Sequence, residues 1–335
     1  MIQFLKNMLE KTRNKLYNEL SLILKNITNS ERQKIMVLVL TGAIALGLIW
    51  AIMAMGVFIT YRVLTIPDLT TEGSITLGAA AASVAITAGF SPYIAVLIAL
   101  LSGMCAGIVT GLLHTKMKIP ALLSGILNMI ALYSINLRVM GAPNITLLRM
   151  RTVFTPFIEM GFTRNVSAVM KSSIFVTVVV AVIFWFFRTE TGNSIRATGN
   201  NQAMARAQGI NTNTTILMGL AIGNGLIGLS GGILAQFLGF ADIQLGTGAI
   251  VAGLASVFIG EVLIGKNYFL QRLCATVFGS VVYRIVIAFV LSLGMRASDM
   301  QLITAIFVAI AIFAPYAKEK FAEFMKRVER RKSNA

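Results

Sequence analysis

Nine apolar stretches, at 35–60, 75–89, 93–113, 121–137, 172–187, 215–238, 249–264, 268–293 and 302–316, leave little of this chain for anything else. A helix rises about 1.5 Å per residue, so about 20 apolar residues cross a hydrocarbon core about 30 Å thick. The alternation of a β-barrel is absent. With 56% hydrophobic and 13% charged residues in 335, the composition is that of an integral membrane protein. The fold class expected is all-α: a polytopic membrane helical bundle of about nine apolar segments. It has one or more broken or re-entrant segments and a possible internal duplication.

Lys+Arg number 29 against 13 Asp+Glu, a formal +16. The cations flank spans or fill the tails, so lipid and positive-inside topology explain them and no nucleic-acid partner is expected. Lys116, Lys118, Arg188, Arg196, Arg206, Lys266 and the tail mark the cytoplasmic side. Residues 1–34 form a basic cytoplasmic segment in which Leu5, Leu9, Leu16, Leu20, Ile23 and Ile27 recur near helical spacing. It has no h-region, so no cleavable signal peptide is expected. Residues 35–316 form the transmembrane domain, with a polar loop at 188–214, and 317–335 form a basic cytoplasmic tail. Both termini are expected in the cytoplasm of a multi-pass protein in a bacterial plasma membrane.

Charge counting puts Arg62 outside and Lys116 inside, yet two candidate spans lie between them. One is therefore not a full crossing. "IPDLTTEGSITLGAAAASVAITAGFSP", with Pro67, Asp68 and Glu72, suits a broken or re-entrant helix, which membranes tolerate only beside protein or a water-filled cavity. "FADIQLGTGAIVAGLASVFIG" echoes it, with Asp242 before Ser256-Val257 as Asp68 stands before Ser83-Val84.

"GEVLIGKN", Gly260 to Asn267, mimics a phosphate-binding loop but ends in Asn267 where a hydroxyl is needed. It belongs to an apolar helix with no strand leading in, so Lys266 is an interfacial anchor. Cys105 and Cys274 lie within spans and read as small buried residues, and His114 is the sole histidine. No metal site, no cofactor and no catalytic residue is expected.

The loop at 188–214 holds "RTETGNSIRATGNNQAMARAQGINTNT". Gly192 and Asn193 read as helix stops within Thr189–Ser194. Asn200 or Asn201 can cap a short helix over 202–208 that Gly209 ends, with small Ala203, Ala205 and Ala207 and protruding Met204 and Arg206.

"GNSIRATGNNQAMARAQGIN" resembles the coupling segment of ABC-importer permeases of the branched-chain amino acid/ribose permease family. The resemblance continues through "GLIWAIMAMGVFITYRVLTIPDLTTEGSITLGA" and "GLASVFIGEVLIG", covers about residues 40–315, and is nearest the tryptophan/tyrosine import branch. Residues 1–34 are longer than the family would have. The resemblance implies a permease subunit that takes a small polar solute, an amino acid with the aromatic ones among the candidates, inward by alternating access. It further implies a cytoplasmic ABC ATPase subunit that hydrolyses the ATP, an extracellular or periplasmic solute-binding protein, and a second permease copy in a homodimer or heterodimer. Arg196, Ala197, Gly199, Asn200, Asn201, Ala203, Met204, Arg206, Gly209 and Ile210 would couple to the ATPase.

Asp68, Thr70, Thr71, Glu72 and Ser74 could hydrogen-bond a polar solute near the outer mouth, and Asn128 and Asn224 place amides within spans, as pathway groups or as packing glue. Arg284 lies inside a span, with Asp242 and Glu261 as possible partners. Arg149, Arg151 and Arg164, in an outside loop at 141–171, could dock acidic lobes of a binding protein. The alternative is an ion-coupled secondary transporter using intramembrane Asp242, Glu261 and Arg284; a membrane scaffold would rest only on the basic tails.

Overall fold

The computed structural model describes residues 36–265 and 268–292, with Leu302, Thr304, Ala305, Ile306, Ala309 and Phe313 beyond them. Expectations for 1–34, Lys266, Asn267 and 317–335, and for most of the span at 302–316, lie outside the described residues.

The helices are α1 (Met36–Val63), α2 (Thr71–Thr87), α3 (Pro92–Thr115), α4 (Ala121–Met140), α5 (Thr155–Glu159), α6 (Arg164–Phe186), α7 (Glu190–Asn200), α8 (Gln202–Ala207), α9 (Thr212–Leu238), α10 (Ala249–Ile264) and α11 (Phe269–Ser292). Strands β1 (Asn144–Thr146) and β2 (Phe240–Asp242) pair antiparallel, Asn144 opposite Asp242. Among the described residues six helices, α1, α3, α4, α6, α9 and α11, are long and apolar enough to cross a bilayer, and α10 is a shorter apolar helix. The expected count of about nine segments is therefore not confirmed among the described residues. Hydropathy counts α2 as a span, but 13 of its 17 residues are buried against neighbouring helices rather than left for lipid.

Contacts fix the direction of each helix. α1 runs antiparallel to α9: Ser230 Oγ donates to the Ile49 carbonyl at 2.8 Å, Gly56 lies on Gly223, and Leu64 lies on Gly219. α3 is also antiparallel to α9, with Gly103, Gly107 and Gly111 facing Asn224, Leu220 and Leu217. A Cβ on Gly107 would stand 2.2 Å from the Leu220 carbonyl oxygen, so only glycine permits this approach. Small residues let backbones touch where lipid offers no hydrophobic drive between helices. α11 is antiparallel to α1, through Gly47 on Val281 and Phe58 on Phe269, and to α10, through Gly260 on Ala275.

α7 and α8 join the last turn of α6 to the first of α9 and mark one end of the bundle; β1, β2 and α5 mark the far end. Arg62 is not at the far end, where charge counting puts it. Thr65 Oγ1 donates to the Gly199 carbonyl at 2.9 Å, and Arg62 shares a cleft with Arg196. α1 therefore starts at the far end, where Asn165 Nδ2 of α6 donates to the Leu38 carbonyl at 3.1 Å. Its first turn thus does not share an end with Lys116, Arg188 and Arg206, as the expectation of a cytoplasmic N-terminus requires. The parity conflict disappears, because an even number of passes now joins Arg62 to Lys116. The charge pattern misleads because Glu261 neutralises Arg62.

Residues 64–70 are not helical. They lead from the α7–α8 end to the middle of the bundle, where α2 begins and runs parallel to α9, with Ser74 level with Asn224 and Gly78 with Gly228. α10 also begins near the middle, Gly253 lying on Met53 and Val57, and runs the other way. The two echoing sequences thus supply two short helices of opposite sense. Their starts meet where Gly248 N donates to Glu72 Oε1 at 3.0 Å.

Candidate functional site: the helical pair at one end of the bundle

Every turn between α6 and α9 is capped from its own sequence. Thr189 Oγ1 accepts from Gly192 N at 3.3 Å and starts α7, so Glu190 to Asn200 are helical and the expected stop at Gly192 and Asn193 is wrong. Gly192 serves instead as a close-packing site, where a Cβ would lie 2.3 Å from the Phe186 carbonyl oxygen. Asn201, extended at φ −157°, breaks the helix and caps α8, its Oδ1 accepting from Met204 N at 3.0 Å. Gly209 takes φ +80° after α8, and Asn211 Oδ1 accepts from Asn213 N and Thr214 N to start α9. The short helix read at 202–208 is present as α8.

The pair is fixed to the bundle at three places. Gly199 lies against the Val63 carbonyl, closer than any Cβ would allow, and Thr198 Oγ1 meets Thr215 Oγ1 at 2.8 Å. Ala205 is fully buried, while Ala203, Met204, Ala207 and Gln208 are exposed. Arg206 does not protrude freely as its neighbours suggest: its Nε donates to Thr212 Oγ1 at 2.7 Å, tying α8 to the start of α9.

A cleft flanks each side. One, of about 630 Å³, lies between α7 and the ends of α1 and α11 and carries Arg62, Arg196, Arg272, Asn193 and Asn200. The Arg196 guanidinium sits 5.3 Å from the Phe269 ring centre, and Arg62 pairs with Glu261 while lying 4.8 Å from the Phe258 ring. The other, of about 570 Å³, separates Gln202, Arg206 and Ile210 from the turn after α3, where His114 Nδ1 bonds the Ile119 carbonyl at 2.8 Å. The cationic rim and exposed α8 can receive an acidic, grooved protein surface; no cluster of three or more His, Cys, Asp or Glu that could hold a metal is found among the described residues.

The candidate pathway residues divide into separate groups. Asp68 is not at an outer mouth. It is buried level with Asn224, which donates through Nδ2 to Asp68 Oδ2 at 2.6 Å and accepts from Ser74 Oγ at 2.6 Å. Thr70 N donates to Asp68 Oδ1, Thr71 Oγ1 donates to the Asp68 carbonyl, and Thr70 Oγ1 meets Thr110 Oγ1, which also accepts from Asn128 Nδ2 at 2.8 Å. These bonds tie residues 64–70 to α2, α3, α4 and α9. The spacing of the sequence gives no hint of Thr110, which hides in a glycine-rich face of α3.

Asp242, Glu261 and Arg284 do not come together. Asp242 is not intramembrane: it ends β2 at the far end, where its Oδ1 accepts from Gln244 N at 2.8 Å. Glu261 pairs with Arg62 at the α7–α8 end. Arg284 pairs with neither, and its guanidinium stacks 3.8 Å from the Trp50 ring centre. Arg149, Arg151 and Arg164 are exposed at the far end, Arg164 donating to the Phe237 carbonyl and lining a small cavity with Arg149. Cys105 and Cys274 are exposed on the bundle surface rather than buried. Gly260 of the phosphate-loop look-alike lies within α10, packed on the Ala275 backbone, which accounts for it without a nucleotide.

A many-pass helical bundle with a capped helix pair at one end belongs to the class of membrane transport subunits. Residues 39–314 match the family described as branched-chain amino acid transport system permease component, and the chain belongs to that family. It is therefore an ABC transporter permease and not itself the ATPase. It is 44% identical over 268 residues to a tyrosine transport system permease protein of Clostridioides difficile, covering 80% of this chain and 88% of that protein. It is 30% identical to an uncharacterized protein of Rickettsia prowazekii, covering 82% and 96%. It is also 30% identical to an autoinducer 2 import system permease protein of Escherichia coli, covering 71% and 68%. A solved metal-chelate-type ABC transporter chain superposes with a TM-score of 0.46 at 14% identity, covering 84% of this chain and 85% of that one, which adds nothing to the assignment.

Proposed function

We propose that this permease carries an amino acid, tyrosine or a close aromatic relative, into the cell. A separate cytoplasmic ATPase drives it by pushing on α7 and α8. The observation that carries this reading is the construction of that pair: the exposed, capped α8 is tied to α9 through Arg206 and Thr212, and α7, which it follows, is tied to α9 through Thr198 and to the segment after α1 through Gly199. A lever must not bend, and displacement of α8 would be delivered to α9 and, through α7, to the segment after α1. The solute is taken from the similarity to the tyrosine permease, which spans most of both chains. A second permease copy completes the pathway. A solute-binding protein docks at the far end, where Arg149, Arg151 and Arg164 offer cations to acidic lobes.

The test is reconstitution of the permease, its ATPase and its binding protein in proteoliposomes, with uptake of labelled L-tyrosine followed on adding ATP. ATP-dependent accumulation is expected. Uptake driven by a proton or sodium gradient without the ATPase would replace this reading with the ion-coupled one.

A further inference from the structure

Where α2 and α10 begin, a cavity of about 370 Å³ opens between α2, α4 and the 243–248 loop, lined by Glu72, Asn136, Tyr133, Ser134 and Thr247. Its chemistry is one-sided. Glu72 spends Oε1 on Gly248 N and keeps its second carboxylate oxygen. Asn136 is 1% exposed and donates through Nδ2 to the Gly73 carbonyl at 3.2 Å, while its Oδ1 is buried with no partner. A buried amide oxygen left unbonded costs free energy, and a donor that reached it from the cavity Asn136 lines would relieve that cost. Tyr133 adds an aromatic ring at the rim. Two acceptors and a π face, with no cation among these lining residues, match an ammonium group.

Depth adds a second constraint. Glu72 lies two residues before Ser74, which is level with the middle of α9, and it is only half-buried. A carboxylate at that depth cannot face hydrocarbon, so this side of α2 and α4 faces a water-filled space. In a permease that space is the solute pathway.

We infer that this cavity is the binding site for the ammonium group of the transported amino acid, held by Glu72 and Asn136 against Tyr133. The inference rests on the amino acid reading above and places the solute within this chain.

The test uses the whole transporter in proteoliposomes, with C105A and C274A removing the native thiols and S134C placed in the cavity wall. A membrane-impermeant thiosulfonate is expected to label Ser134→Cys, and saturating L-tyrosine to slow labelling by at least about tenfold because about nine cavities in ten or more are then filled. Tyramine, which keeps the ammonium, should protect; 3-(4-hydroxyphenyl)propionate, which lacks it, should not. Glu72→Gln, which can still accept from Gly248 N, should abolish protection, read as the ratio of labelling rates with and without L-tyrosine in the same variant. Asn136→Ala should weaken protection and serves if the first variant misfolds. Failure to label the cysteine, protection by the propionate equal to that by tyramine, or protection unchanged in both variants would overturn the inference. Those results can coexist with ATP-driven tyrosine uptake, whereas failure of uptake itself strikes the proposed function.

Discussion

Arg62 and Glu261, 199 residues apart, form an ion pair that closes the end of α1 onto the end of α10 beside the helical lever. Glu261 is 8% exposed and Arg62 34%, so solvent screens the pair only from one side. Arg62 belongs to a π-helical turn, Ile59–Val63, a local widening common at functional sites. Removing one partner leaves a nearly buried charge without its counterion. Arg62→Leu, which strands Glu261, should therefore lower stability by about 3 kcal/mol, and the double change with Glu261→Leu should cost less than the sum of the two singles. Thermal unfolding of the purified permease measures both, and strict additivity would show that the pair contributes nothing.

Gly107 is a site where packing leaves no alternative. Gly107→Leu must drive α3 off α9, because the first side-chain carbon already falls inside the Leu220 carbonyl. The expected outcome is loss of folded protein in detergent extracts. The same change at Gly141, which has open space around it, should fail less severely and only through its φ of +68°.

Asn224 holds Asp68 and Ser74 together in a buried network. Replacing it with Leu strands two hydrogen-bonding groups at once. A loss of about 2–3 kcal/mol is expected, read as a lowered unfolding midpoint, and Asn224→Asp should be worse than Asn224→Leu because it sets two carboxylates within hydrogen-bond reach. Equal midpoints for wild type and Asn224→Leu would show that the network is not a structural tie.

The apolar runs, the capped α8 and the family motif were legible because each is local: helix-length hydropathy, Asn201 before 202–207, and Gly209 behind it. Direction and depth were not. Arg62 read as an outer cation because its neutralising partner lies in another helix, and Asp242 read as intramembrane because hydropathy does not register the short strand pairing with Asn144. Asp68 and Glu72 were singled out as polar residues beside a proline, but only the fold separates them, one into a closed network and the other into an open cavity. Asn136 went unnoticed because a lone amide in an apolar run gives no sign of where its oxygen points.

The two neighbours Met204 and Ala205 separate transmission of force from docking. Ala205 is fully buried, its N–H donates to the Asn201 carbonyl at 3.0 Å, and its own carbonyl accepts from Ile210 N. Proline there removes the first bond and crowds the Asn201 carbonyl, a penalty of about 3 kcal/mol that a six-residue helix cannot absorb. Met204 is 48% exposed and touches no structural bond through its side chain, so Met204→Asp leaves the lever intact while placing a carboxylate on the surface offered to the ATPase. Ala205→Pro should abolish ATP-driven uptake while the protein still inserts and still binds the ATPase weakly. Met204→Asp should lower ATPase co-purification first, with uptake falling in proportion. Co-purification and uptake measured on both variants decide the matter: if Ala205→Pro transports normally, α8 is not the element through which the motor acts.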